Sequence, residues 1–87
     1  MKNFEEIKKE LLNMEGTLLN LDNTIESITN SSTSLFNYTE EIKENEDFDI
    51  AYNIEEVDKG IIVYFKILNW DADLEEVTAK IVDVDKF

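Results

Sequence analysis

The chain has no cysteine, no histidine, no proline and no arginine, and only two glycines, Gly16 and Gly60. Without cysteine there is neither a disulfide framework nor a thiolate metal site. Without histidine the commonest general base and most zinc sites are missing. Two isolated glycines cannot form a phosphate-cradling loop. No proline-rich linker or low-complexity tail divides the 87 residues. Residues 1–87 therefore read as one domain, with 1–46 the helical part and 47–87 the β part. So short a chain buries only ~60–65% of its unfolded surface, which leaves a thin stability margin. The longest apolar block, Ile61 to Phe65, has strand length and falls far short of the ~20 residues of a membrane span. The start, Met1-Lys2-Asn3-Phe4-Glu5-Glu6, carries charges where an export signal needs an apolar run, so the expected location is the cytoplasm.

Positive charge is equally scarce. Eight lysines face 21 acids, a net charge of −13. Phosphate contacts come mainly from Lys and Arg, so direct binding of nucleic acid is excluded. An anionic membrane surface is disfavoured for the same reason. A basic protein surface is the favoured partner, approached by electrostatic steering that weakens in salt. Acidity of this kind also keeps a small protein soluble, and solubility alone is the competing explanation.

What is present is a clear change of period. Phe4, Ile7, Leu11, Met14, Leu18, Leu21, Ile25 and Ile28 recur at alternating spacings of three and four, a heptad stripe on one helical face. Leu12 and Leu19 widen it, as in a helix packed on a core. Gly16 interrupts that helix at a cost of ~1 kcal/mol relative to alanine. Asn30-Ser31-Ser32-Thr33-Ser34 is the expected break, because these side chains compete for backbone hydrogen bonds. A second short helix is expected over about 34–45. The same register also allows one rod through residue 45, ~60 Å long at ~1.5 Å per residue. Such a rod would overhang the sheet, so two helices are the favoured reading.

From residue 48 the period becomes two. Phe48, Ile50, Tyr52 and Ile54 alternate with Asp49, Ala51, Asn53 and Glu55, a half-buried strand. Asp58-Lys59-Gly60 predicts a turn, and Ile61 to Leu68 a central strand apolar on both faces. Val77, Thr78, Ile81, Val82 and Val84 are β-branched and favour a third strand within 72–85. Leu74, Val77, Ile81 and Val84 also fit a helix, with Asp73 and Glu76 placed like a capping box. A hairpin gains stability from a third strand, so strand is the favoured reading. The expected fold is α+β: an N-terminal helix or helical hairpin packed on a three-stranded antiparallel β-meander.

Little of this supports catalysis. The serines cluster in the predicted turn, outside any nucleophile motif. Asn69 to Glu76 is rich in carboxylates but lacks the EF-hand ligand spacing and its sixth-position glycine. Close carboxylate pairs arise by chance among 21 acids, and a small chain offers little room for a cleft. No catalytic residue, metal site or cofactor is expected. The surfaces that remain are acidic. Glu40, Glu41, Glu44, Glu46, Asp47 and Asp49 form one cluster, Glu55, Glu56 and Asp58 a second, and Asp71, Asp73, Glu75 and Glu76 a third. In a meander the first and third fall at the same end of the sheet, where about ten carboxylates would fit a basic groove that otherwise holds nucleic acid. Tyr52, Tyr64 and Trp70 are candidate interface anchors. Tyr64 and Trp70 share one face of the central strand with Ile62 and Leu68. That face forms an apolar patch if Val63, Phe65 and Ile67 meet the helices; the favoured reading is that the helical layer covers the Tyr64 face instead.

A small, extremely acidic chain with the clusters Glu40 to Asp49 and Asp71 to Glu76, and no catalytic set, resembles the phage-encoded anti-CRISPR and other anti-defence inhibitors. The resemblance spans the chain and is one of size, charge and compact build. It carries no residue correspondence, because that class shares no fold or signature. Abundant Asn, Ile and Lys without Arg fit an AT-rich genome of a low-GC bacterium or its phage. The resemblance implies a stoichiometric inhibitor that blocks the nucleic-acid channel of a bacterial effector, in some cases as a DNA mimic. The expectation of a different class is a structural or assembly protein that forms a homodimer through the heptad helix of residues 4–28.

Overall fold

The computed structural model describes residues 3–31, 42, 46–54 and 59–86. The short helix expected over about 34–45 and the hairpin tip Glu55, Glu56 and Asp58 lie outside the described residues.

The chain is α+β, with α1 (Phe4–Leu11), β1 (Glu15–Thr17), α2 (Leu18–Thr29), β2 (Phe48–Ile54), β3 (Lys59–Asn69), a 3-10 turn (Leu74–Glu76) and β4 (Thr78–Lys86). The sheet is antiparallel and four-stranded, in the order β1-β4-β3-β2. The expected meander of three strands is therefore short by one strand. The C-terminal strands do run β2-β3-β4, but the N-terminal half adds β1 along the outer edge of β4.

That strand comes from the middle of the expected helix. Asn3 opens α1 as its N-cap, accepting the Glu6 N–H on Oδ1 at 2.9 Å while its side-chain Nδ2 donates to Glu6 Oε1 at 3.4 Å. Asn13 closes it with φ 69°, a left-handed conformation that asparagine tolerates better than most residues. The backbone then runs along β4. Asn13 N–H donates to Ile81 O at 3.0 Å, Ile81 N–H to Met14 O at 2.8 Å and Leu18 N–H to Val77 O at 2.9 Å. Thr17 restarts the helix, its Oγ1 accepting the Asn20 N–H at 3.2 Å. Gly16 is thus a strand residue, opposite Ala79, and carries no helical penalty. The strand bonds compensate for the interrupted helix by covering a sheet edge that would otherwise be unpaired.

The stripe nonetheless identifies the core. Ile7, Leu11, Leu18, Leu21 and Ile25 are all buried. They meet Ile50, Tyr52, Ile61, Val63, Phe65, Ala79, Ile81 and Val84 in one cluster, which also takes in Ile42. A heptad survives the break because seven residues separate Leu11 from Leu18 whether the chain between them is coiled or extended. Phe48 and Phe65, opposite each other in the register, stack with centroids 4.9 Å apart and planes inclined by 12°, a geometry worth about 0.5–1.5 kcal/mol beyond area burial.

Two details of the β half differ from expectation. Lys59 and Gly60, expected in a turn, are paired strand residues opposite Ile54 and Asn53. The tail is strand, but it begins at Thr78. Asp73 caps only a single 3-10 turn, accepting the Glu75 N–H at 3.1 Å.

Candidate protein-binding surface

The sheet has one face covered by helices and one turned outward. Along β3, Ile61, Val63 and Phe65 are buried, Ile62 and Tyr64 are half-buried, and Lys66 is exposed. The aliphatic set therefore meets the helices, and Ile62 and Tyr64 belong to the other face. Two register shifts disturb the alternation, one between Tyr64 and Phe65 and one between Ile67 and Asn69. The first leaves Val82 between the partners of those residues, and Val82 is 43% exposed. The second surrounds Leu68, 48% exposed. A bulge inserts one residue and resets which side chains share a face. Trp70 follows β3 and packs half-buried against the core. It does not share the outward face with Tyr64, as simple alternation predicts. Tyr52, the third candidate anchor, is fully buried.

Across the outward face the register aligns Asp49, Tyr64 and Asp83 in one row and Ala51, Ile62 and Asp85 in the next. Asp49, Ala51, Asp83 and Asp85 are exposed. Asp83 and Asp85 escaped the sequence reading. They belong to a stretch read only for its β-branched residues, and its bulge hides which face they take. Lys66 and Lys80 stand opposite each other further along the same face, with Glu15 opposite Lys80 from β1.

The expected acidic patch is divided by the structure. Glu40, Glu41 and Glu44 lie outside the described residues. Glu46 and Asp47 are exposed immediately before β2, which begins opposite Phe65. They enter at the end of the sheet where β3 leaves for the connection to β4. That connection carries Asp71, Asp73, Glu75 and Glu76, all exposed. Asp49 stands apart from both groups, on the outward face beside Tyr64. Two of these acids also hold their own loop: Asp71 Oδ1 accepts the Asp73 N–H at 2.9 Å, and Asp73 Oδ1 accepts the Glu75 N–H. None of the seven described site acids is paired with a lysine among the described residues. Elsewhere Lys8 Nζ pairs with Asp83 Oδ1 at 3.4 Å.

Other acids are placed differently. Glu5, Glu6 and Glu10 are exposed on α1, so negative charge is not confined to one side. Asp22 is buried at 5% exposure and accepts the Tyr52 hydroxyl at 2.8 Å. Glu26, one turn further along α2, has its carboxyl pushed above the ordinary value by partial desolvation and, second, by the Asp22 charge. Among the described residues no three acids converge as metal ligands, and no helix is long and apolar enough to cross a membrane. The chain matches no protein-family model, no curated protein and no solved structure.

Proposed function

We propose that this chain is an acidic protein-binding module that acts as a stoichiometric inhibitor. It occupies the basic nucleic-acid-binding surface of a bacterial defence effector, in the manner of an anti-CRISPR protein, and works in the host cytoplasm without catalysis. The observation that carries the reading is a net charge of −13 together with a group of exposed acids that make no ion pair among the described residues. Glu46, Asp47, Asp71, Asp73, Glu75 and Glu76 are exposed at one end of the sheet, and none is neutralised by a lysine among the described residues. Carboxylates held on a folded body and unpaired within it favour a cationic counterpart and speed its approach. Self-association through residues 4–28 has less to support it, because it would draw Ile7, Leu11, Leu18, Leu21 and Ile25 out of the chain's own core.

The test is displacement of labelled target DNA from a panel of purified CRISPR effector complexes at low salt. The reading expects at least one effector to lose its DNA at a near-equimolar amount of this protein. Retention of DNA by every effector, at protein concentrations far above the effector's, contradicts it.

A further inference from the structure

We propose that the outward face of the sheet takes an arginine side chain of the partner, with its guanidinium over Tyr64 beside Asp49. This rests on the reading above and specifies where and how the basic partner is gripped. The two exposed large hydrophobics of the described chain, Leu68 at 48% and Val82 at 43%, both belong to β3 and β4. Together with half-buried Ile62 and Tyr64, Val82 gives the outward face an apolar strip among charged residues, onto which a partner side chain can pack.

The occupant follows from what borders that surface. The register puts carboxylates on both sides of Tyr64, Asp49 from β2 and Asp83 from β4, and places Asp85 beside Ile62. Directly opposed residues stand about 4.5–5.5 Å apart at Cβ, so a planar cation over the ring lies within reach of a carboxylate. Asp83 Oδ1 is engaged by Lys8 and by the Val84 N–H, which leaves Asp49 as the principal anion. Asp49 makes no ion pair among the described residues. Arginine fits better than lysine. Its guanidinium stacks on aromatic faces and pairs with carboxylates through two N–H groups, and it is more weakly hydrated than an ammonium. Its methylenes would lie on Ile62 and Ala51 while the charge stays at the rim. Lys66 and Lys80, opposed further along the face, repel a second cation there. The bound segment is therefore oriented, with its basic end toward Asp49 and a neutral or acidic end toward the lysines.

The experiment is an NMR titration of the isotope-labelled intact chain with a short arginine peptide, and separately with a lysine peptide of equal length, at low salt. The proposal expects amide shifts to concentrate at 49–51, 62–64 and 82–85. It also expects Tyr64→Ala to weaken the arginine peptide about two- to fivefold, the size of an exposed cation–π contact, and the lysine peptide less. Asp49→Asn, at an exposed position, serves as the second variant and is expected to weaken both peptides. Shifts confined to 46–47 and 71–76 overturn this site while leaving the acidic-module reading intact. No saturable shift with either peptide overturns both. Unchanged arginine affinity in Tyr64→Ala and Asp49→Asn, each with a native-like spectrum, overturns the site.

Discussion

Tyr52 donates its hydroxyl proton to Asp22 at 2.8 Å, across 30 residues of sequence and inside the core. The bond ties β2 to α2, so it fixes the helical layer on the sheet as well as satisfying a buried acid. Removing one partner of a buried polar pair leaves the other less fully satisfied, which costs more than the bond itself contributes. Tyr52→Phe is expected to lower unfolding free energy by about 1–3 kcal/mol, read from urea denaturation. Asp22→Asn keeps an acceptor for the hydroxyl and should cost less. Equal stability of Tyr52→Phe and the parent would show that the bond does not secure the helix.

The same corner makes stability depend on pH in a definite sense. The Glu26 carboxyl is raised by desolvation and then by Asp22. A raised acid binds more protons folded than unfolded in the window between its two pKa values, so unfolding free energy falls as pH rises through that window. Glu26→Gln removes this penalty. The variant is expected to be more stable than the parent at pH 7, with the gain vanishing below about pH 4, where the unfolded carboxyl is also protonated. Thermal unfolding at both pH values checks it; an equal gain at the two pH values would assign the effect to something other than ionisation.

The broken helix supplies a contrast between adjacent residues. Thr17 caps α2 through Asn20, so Thr17→Ala should cost about 1 kcal/mol. A Cβ added at Gly16 meets nothing within 4 Å, and no glycine of the described chain has positive φ. Gly16→Ala should therefore stabilise by about 0.4–1 kcal/mol by restricting the unfolded chain. Denaturant midpoints of the two variants are expected on opposite sides of the parent. A large loss in Gly16→Ala would contradict the strand geometry of β1.

Burial of the heptad stripe predicts the solution state. Leu18 has no exposed surface, so Leu18→Glu places a charge in the core without a partner, and the cost is folding. The parent is expected to run as a monomer in sedimentation, and Leu18→Glu as an unfolded chain by circular dichroism. A parent dimer that dissociates to a folded monomer in Leu18→Glu would instead mean that the stripe joins two copies.

The particular residues show what sequence made legible. The heptad spacing found the inward positions Ile7 to Ile25, because burial depends on which residues are apolar and how far apart they stand. It did not find that residues 12–17 leave the helix. The gain there comes from β4, more than sixty residues away in sequence, and the one local sign was Asn13, an asparagine suited to the left-handed stop. Alternation separated Val63 and Phe65 from Tyr64 but did not decide which set meets the helices, and the favoured reading, helices over the Tyr64 face, is overturned by the burial of Val63 and Phe65. Alternation failed at Trp70, where the shift around Leu68 resets the faces. The acids were legible as a class but not in their roles. Asp22 went to the core, Asp71 and Asp73 cap their own turn, and Asp83 and Asp85 joined a face that alternation alone could not assign across a bulge.

The central claim is that exposed, unneutralised carboxylates bind a basic partner. The most direct measurement is the salt dependence of DNA displacement from the most susceptible effector, comparing the parent with a variant in which Glu46, Asp47, Glu75 and Glu76 become lysine. These four are chosen because none of them accepts a backbone hydrogen bond in the turn, so reversal should leave the fold intact. The account predicts inhibition by the parent that weakens steeply as salt rises, and a variant that folds but inhibits at least about tenfold less at low salt. A folded variant that inhibits as well as the parent, or parent inhibition indifferent to salt, would contradict it.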